Sequence, residues 1–268
     1  RYIENAINLM FEGEVIEEND AEHICDMVSS VNDEYQRGLI YRGLIYYRNQ
    51  FNKLTIDAKK IFAEYIEEEI TEYLKKAEEL DEDERTNLEY ACDISGSLAT
   101  PKTAELMNMA IDKCDNTIRY YAVSTILEMG KTVSEEIIKP LAHDLTLADM
   151  TYSLLLKHSV TRLFPSELAE PVYLAKSNLV HWLTYPTELG KVPDEIEYIG
   201  CAKVKKEMFY IFKFHSDSDC LAEENKNKWL IGWSGNEGGT FSNFDHFEDY
   251  EQKTLEKTVK HIVKKLIK

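Results

Sequence analysis

The stretch Asp115-Asn116-Thr117-Ile118-Arg119-Tyr120-Tyr121-Ala122-Val123-Ser124-Thr125-Ile126-Leu127-Glu128-Met129-Gly130 sets the fold expectation for this chain. An Asp that can take up free amides opens it, apolar residues recur through it at helical spacing, and a glycine closes it. The same signals return 34 residues away: Asp81, Asp115 and Asp149; Arg85 and Arg119; Gly96 and Gly130; Thr100 and Ser134. Each full unit therefore predicts an Asp-led helix with Arg four residues in, a glycine at its end, and a Thr or Ser capping the next helix. Pro101 follows Thr100 directly, in the first helical turn, where a missing N–H costs nothing. The unit led by Asp149 departs from the pattern, with Ser153 in the place of Arg and Phe164 in that of Gly, as a capping repeat does.

The segment from Asp115 to Gly130 resembles the second helix of HEAT-like repeats of the short bacterial type. That pattern places Asp and Arg near the helix start, a small residue such as Ala122 in the middle, and Leu127 then Gly130 at the end. The first unit matches less closely, since Leu88 stands where Ala122 does. The resemblance covers residues 81–164 and implies helix pairs that bury their apolar stripes by stacking into a curved solenoid. Concave faces of such arrays bind protein or peptide. Some HEAT-type repeats are DNA glycosylases, which hold DNA with Lys and Arg on that face.

Upstream of the repeat, helices continue without a clear period. Asn19-Asp20 predicts an N-cap for a helix through Val28. Leu39, Ile40, Leu44, Ile45, Tyr46 and Tyr47 mark a second helix, in which the tandem RGLIY of 37–41 and 42–46 fits no structural period. A longer run from Ile56 to Leu80 carries Ile61, Phe62, Tyr65, Ile66, Ile70, Tyr73 and Leu74 on one side and Glu on the other.

Downstream, the composition changes near Pro171. A short helix, Ala175 to Leu183, precedes a loop marked by Pro186, Gly190 and Pro193. Segments rich in aromatic and β-branched residues follow: 195–199, 207–214 and 228–233 predict strands. The stretch 240–249 is expected to be irregular or an edge segment, and the helix 250–267 closes the chain. Trp182 to Gly190 with Pro193 to Glu197 is similar to a segment of uncharacterised bacterial HEAT-repeat proteins. The expected architecture is mainly α: a HEAT-like α-solenoid over residues 1–171, then a small α+β domain, 172–268, with an antiparallel sheet and a C-terminal helix.

Charge is placed unevenly. Residues 1–175 hold 34 Asp and Glu against 17 Lys and Arg, and the remainder 15 against 14. A field of that sign repels nucleic acid and anionic lipid and attracts basic partners, while also favouring solubility. It speaks against a glycosylase. Five scattered cysteines without a C-x-x-C pair predict free thiols and the cytoplasm. The opening Arg1-Tyr2-Ile3-Glu4-Asn5 lacks a signal pattern, and the missing initiator Met leaves room for an upstream segment.

Motifs that could carry chemistry fall short. Gly232-Trp233-Ser234-Gly235-Asn236 misses the nucleophile elbow at its fifth position and is expected to be a hairpin connection. The acidic stretches 215–220 and 245–249 invite a metal site, but counting from Asp217 the Gly and Glu positions of a calcium loop fall on Ala222 and Lys228, and only His215 and Cys220 lie near each other as zinc would need. His23 and Cys25 point to different helix faces, and His158 and His181 lie among apolar residues. The sequence thus predicts no catalytic set, no metal and no cofactor. The basic helix at the end, with Lys253, Lys257, Lys260, Lys264, Lys265 and Lys268, is expected to dock on the acidic array or to complement its own dipole. Candidate partner-binding residues are Tyr120 and Tyr121, beside Arg119, because one of the two rings should face outward.

These readings predict a non-enzymatic protein-binding module that engages a basic protein partner, with no nucleic acid and no membrane. An immunity protein against a basic toxin is one concrete form. The alternatives are a HEAT-like nucleic-acid-modifying enzyme of the glycosylase type and an assembly scaffold.

Overall fold

Asp81 and Asp115 open helices, as their places in the repeat predict. The Asp81 carboxylate accepts from Glu84 N–H at 2.9 Å, and Glu84 reaches back to Asp81 N–H at 3.1 Å. Asp115 Oδ1 takes the amides of Thr117 and Ile118 at 3.0 and 3.2 Å. Thr100 likewise accepts from Lys102 and Thr103 ahead of Pro101. These reciprocal caps satisfy amides that a helix start otherwise leaves open.

The computed structural model describes residues 11, 15–204, 207–223, 226, 228–235, 245–246 and 257. The chain divides into two units, Arg1–Ser134 and Glu135–Lys268. The first holds α1 (Glu18–Ser29), α2 (Glu34–Tyr47), α3 (Ile56–Lys75), α4 (Glu82–Leu98), α5 (Pro101–Lys113) and α6 (Asn116–Glu128). The second holds α7 (Glu135–His143), α8 (Ala148–Lys157), α9 (Pro171–Leu183) and the strands β1 (Glu195–Val204), β2 (Glu207–His215), β3 (Leu230–Gly235) and β4 (Asp245–His246). The predicted helix 250–267 lies outside the described residues apart from Lys257. Among the described residues no helix is long and apolar enough to cross a membrane.

Packing in the first unit follows alternate helices. α1 lies on α3 and α3 on α5, while α2 lies on α4 and α4 on α6; α3 with α4 and α5 with α6 join the two rows. Side chains fasten the rows. Thr125 Oγ1, fully buried, donates to the Cys92 carbonyl at 2.6 Å, linking α6 to α4. Arg85 pairs with Asp115 between the same helices. In the other row the buried Glu67 of α3 accepts from Thr100 and, at 2.7 Å, from Thr103 at the start of α5. Asp115→Ala removes both a cap and an ion-pair partner, so unfolding in urea should show a loss of about 1–2 kcal/mol. Asn at 115 keeps the cap and should recover most of it; equal losses for both variants would contradict this account.

Several local expectations change. α1 begins at Glu18, earlier than an Asn19-Asp20 cap would place it, and Asp20 instead reaches back to the Glu17 amide at 3.2 Å. α3 stops at Lys75, short of Leu80. Gly130, at φ +69°, does end the Asp115 unit. Gly96 does not end the Asp81 unit: α4 runs through it to Leu98. A Cβ at Gly96 would meet the Glu128 carboxylate and, at 3.4 Å, Thr125 Oγ1, so the glycine serves the close passage of α4 and α6. Asp149 is not a cap either. α8 starts one residue earlier, after a turn in which Asp144 Oδ1 accepts from Thr146 N–H at 3.0 Å and Thr146 Oγ1 at 2.6 Å.

In the second unit, β1, β2 and β3 form an antiparallel meander with the two-residue β4 beside β3. Phe212, Phe214 and Leu230 pack with Ala175, Leu179 and Leu183 of α9. The opposite face is also buried, through Phe209, Ile211, Ile231 and Trp233. This explains the near-continuous apolar run of β2, since a strand covered on both sides has no polar face to alternate with. The compositional change near Pro171 falls at the first turn of α9.

Candidate protein-binding face

The row α2, α4, α6 carries Tyr35, Tyr46, Tyr90, Tyr120 and Tyr121. On α2, Tyr35, Leu39, Arg42 and Tyr46 follow one another at helical spacing, and Tyr35 and Tyr46 are 62% and 77% exposed. Side chains three or four apart share a helix face, so these four form a stripe. Tyr35, Leu39 and Arg42 line a cleft of about 210 Å³ against Asp83, Thr86 and Tyr90 of α4. At its floor Asn87 donates to the Glu34 carbonyl and carboxylate at 3.0 and 2.8 Å. Its Oδ1 lies against Gly38, where a Cβ would come within 2.7 Å. The first glycine of the RGLIY tandem is therefore a packing requirement rather than part of a period.

On the other side of α4, Tyr120 and Tyr121 of α6 are both half-buried, with ring centroids 5.4 Å apart in an edge-on arrangement. The Tyr121 hydroxyl is pushed well up by burial, and also by Glu89, Asp93, Tyr120 and Tyr90, which identifies its surroundings. Arg119 has a different task. Its Nε donates to the Ile111 carbonyl at 3.0 Å, its Nη1 to Asn116 Oδ1 at 2.9 Å and its Nη2 to the Cys114 carbonyl at 3.5 Å. It completes the C-terminal end of α5, where orphan carbonyls need donors. The structure thus brings both tyrosines together on one face and engages Arg119 within the chain.

Glu89 is the residue that sequence reasoning passed over. It is half-buried on α4, and burial pushes its carboxyl up to about 7, with Arg85 acting in the opposite sense. Among the acids of residues 1–134 nothing in its own letter sets it apart. The available signal was its place beside Tyr90, four residues from both Arg85 and Asp93.

Elsewhere the structure occupies the groups that could suggest chemistry. Ser234 is fully buried on β3, not on a turn, and its Oγ donates to Asn178 Oδ1 at 2.9 Å. The reason is local: Gly232 sits under Phe214 and Leu179, with 3.1 and 3.2 Å left for a Cβ, so the glycine permits strand packing rather than a hairpin. Asn178 Nδ2 in turn donates to Asp149 at 2.8 Å. Asp217 pairs with Lys191, and Asp219 with Lys226 at 2.9 Å. Among the described residues no three His, Cys, Asp or Glu side chains gather as a metal site would need. His23 is exposed and Cys25 buried, on different faces of α1 as their spacing predicts. His181 Nδ1 lies 3.1 Å from the Thr146 carbonyl. The side chains of 245–249 and the residues 236–244 lie outside those described. Compared with known proteins, the chain matches no protein-family model, no curated protein and no solved structure.

Proposed function

We propose that the first unit is a HEAT-like helical array, the beginning of a solenoid, and that its α2–α4–α6 row binds a basic protein without catalysis. The alternate-helix packing supports the array reading, since stacked helix pairs place each helix against the one two places on. The observation that carries the binding reading is the composition of that one row. Tyr35, Tyr46, Tyr90, Tyr120 and Tyr121 lie there together with Glu82, Asp83 and Glu89, in a unit with 28 Asp and Glu against 14 Lys and Arg. Tyrosines supply contact area at low entropic cost, and the acids steer and select a cationic partner. An immunity protein that neutralises a basic toxin, working in the cytoplasm, is the concrete form we favour.

Affinity capture from cells of the source organism at low salt tests the reading. The expected result is a basic protein released by salt and lost when Glu82 and Asp83 are both changed to Lys. Retention unaffected by both salt and that double variant would sink the electrostatic reading. For the immunity form, co-expression should restore growth to cells making the captured protein.

A further inference from the structure

We propose that the cleft between α2 and α4 is the seat for one arginine side chain of that basic partner. The inference rests on the reading just given, that the α2–α4–α6 row is where the partner docks, and it names the place that receives the anchor.

The floor of the cleft calls for a donor. Asn87 is 1% exposed, and its Nδ2 donates to the Glu34 carbonyl and carboxylate, which fixes the other end of the amide as the oxygen. That Oδ1 is buried and has no hydrogen-bond partner. It lies against the bare side of Gly38, and Gly38 and Asn87 both line the cleft. A buried acceptor left without a donor is costly, and an incoming N–H removes that cost. The rim calls for a cation. Glu82 and Asp83 are exposed in the first turn of α4 and line the same space, and neither carboxylate is paired among the described residues. Glu34 is already taken: it accepts from the Tyr73 hydroxyl at 2.8 Å and pairs with Arg37 at 3.3 Å. The Tyr35 ring, 62% exposed, stacks on no other ring and holds no cation among the described residues.

A guanidinium answers the three features together. Its planar fork carries five donors, enough to reach the floor oxygen and a rim carboxylate at once, and its flat face can lie over the Tyr35 ring. It is also more weakly hydrated than an ammonium, so bringing it to a buried acceptor costs less. A lysine presents its donors at a single point and cannot span floor and rim in the same way. At about 210 Å³ the cleft is of a size for one side chain rather than a length of backbone. Arg42 stands on the wall as well, exposed and unpaired among the described residues. Its like charge opposes the guest, and the two free carboxylates outweigh it.

The test is titration of the full chain, at neutral pH and constant ionic strength, with three blocked peptides of equal charge: hexa-arginine, hexa-lysine and hexa-arginine asymmetrically dimethylated at every residue. The acidic field acts alike on all three, while methylation keeps the charge and blocks the fork. Hexa-arginine should bind about tenfold more tightly than the other two, as a charge-assisted hydrogen bond predicts. Tyr35→Ala should reduce that preference. Arg42→Gln, which lifts the like charge, should strengthen hexa-arginine binding severalfold. Equal affinity for the three peptides, a preference untouched by Tyr35→Ala, or weaker binding by Arg42→Gln overturns the seat while leaving the acidic face as the docking surface. Failure of the unaltered chain to bind any of the three overturns both.

Discussion

Phe212→Ala should cost the second unit about 3–5 kcal/mol, the usual penalty for emptying a fully buried aromatic site. Phe212 sits at the middle of β2, the strand that pairs with both β1 and β3, and is 0% exposed. Its ring belongs to the cluster of Leu179, Leu183, Leu189 and Leu230, and Tyr198 of β1 approaches it at 5.8 Å. Gly232 stands opposite it on β3, so no side chain there can move in to refill the space. A domain of ordinary stability has about 5–15 kcal/mol in hand, so the loss is roughly a fifth of the total or more. Calorimetry should show the midpoint falling by roughly 10 °C or more. Phe212→Leu, which keeps most of the volume, should lose much less. A cost under about 1 kcal/mol for the alanine variant would mean that the layer between sheet and α9 is not the core of this unit.

The second large effect is expected at Asn178. Its amide joins β3 to α8 through α9: the carbonyl oxygen takes Ser234 Oγ–H at 2.9 Å and the amide donates to Asp149 at 2.8 Å. Alanine there leaves a buried hydroxyl and a half-buried carboxylate short of partners, a loss of about 2–4 kcal/mol. Aspartate gives a sharper test. Burial already raises the Asp149 carboxyl, while the Asn178 amide and the neighbouring His181 pull it down. A carboxylate in the place of that amide would remove the donor and add a like charge, raising Asp149 further. A carboxyl raised on folding gives stability that is complete below its unfolded value and is lost as pH rises through its folded value. The Asn178→Asp variant should therefore approach wild-type stability near pH 4 and weaken steadily towards pH 7, relative to the unaltered chain. Chemical denaturation across that range checks it. A flat difference between variant and wild type would sink the account.

What the sequence disclosed divides by range. The starts of α4, α5 and α6 were legible because Asp81, Thr100 and Asp115 act on amides two or three residues away, inside any window one reads. The strands were legible because β2 carries aromatic and branched residues without interruption. Misreadings arose where one residue type serves two purposes. Glycine closes a helix at Gly130 but admits a neighbouring helix at Gly96, and only the distant Thr125 and Glu128 tell the two apart. Gly232 looked like a turn because Leu179, which it accommodates, lies 53 positions away in the sequence. On the candidate face, the spacing pointed to Tyr120 and Tyr121, but Arg119 turned out to serve α5. Glu89 was passed over because the burial that raises its carboxyl comes from packing, which no neighbouring letter announces.

The fastening of alternate helices has a mechanical consequence. Thr125 to Cys92, Arg85 to Asp115 and Glu67 to Thr100 and Thr103 each couple a helix to the one two places along. Such coupling makes the helices of a row nearest neighbours in the thermodynamic sense, so fraying at one end is opposed by the next link rather than by the whole core. The candidate face draws on both sides of one such link, with Tyr90 on one helix and the paired tyrosines on the other. A partner that grips it would act as a clamp across the joint, and tightening that joint would propagate stiffness along the row.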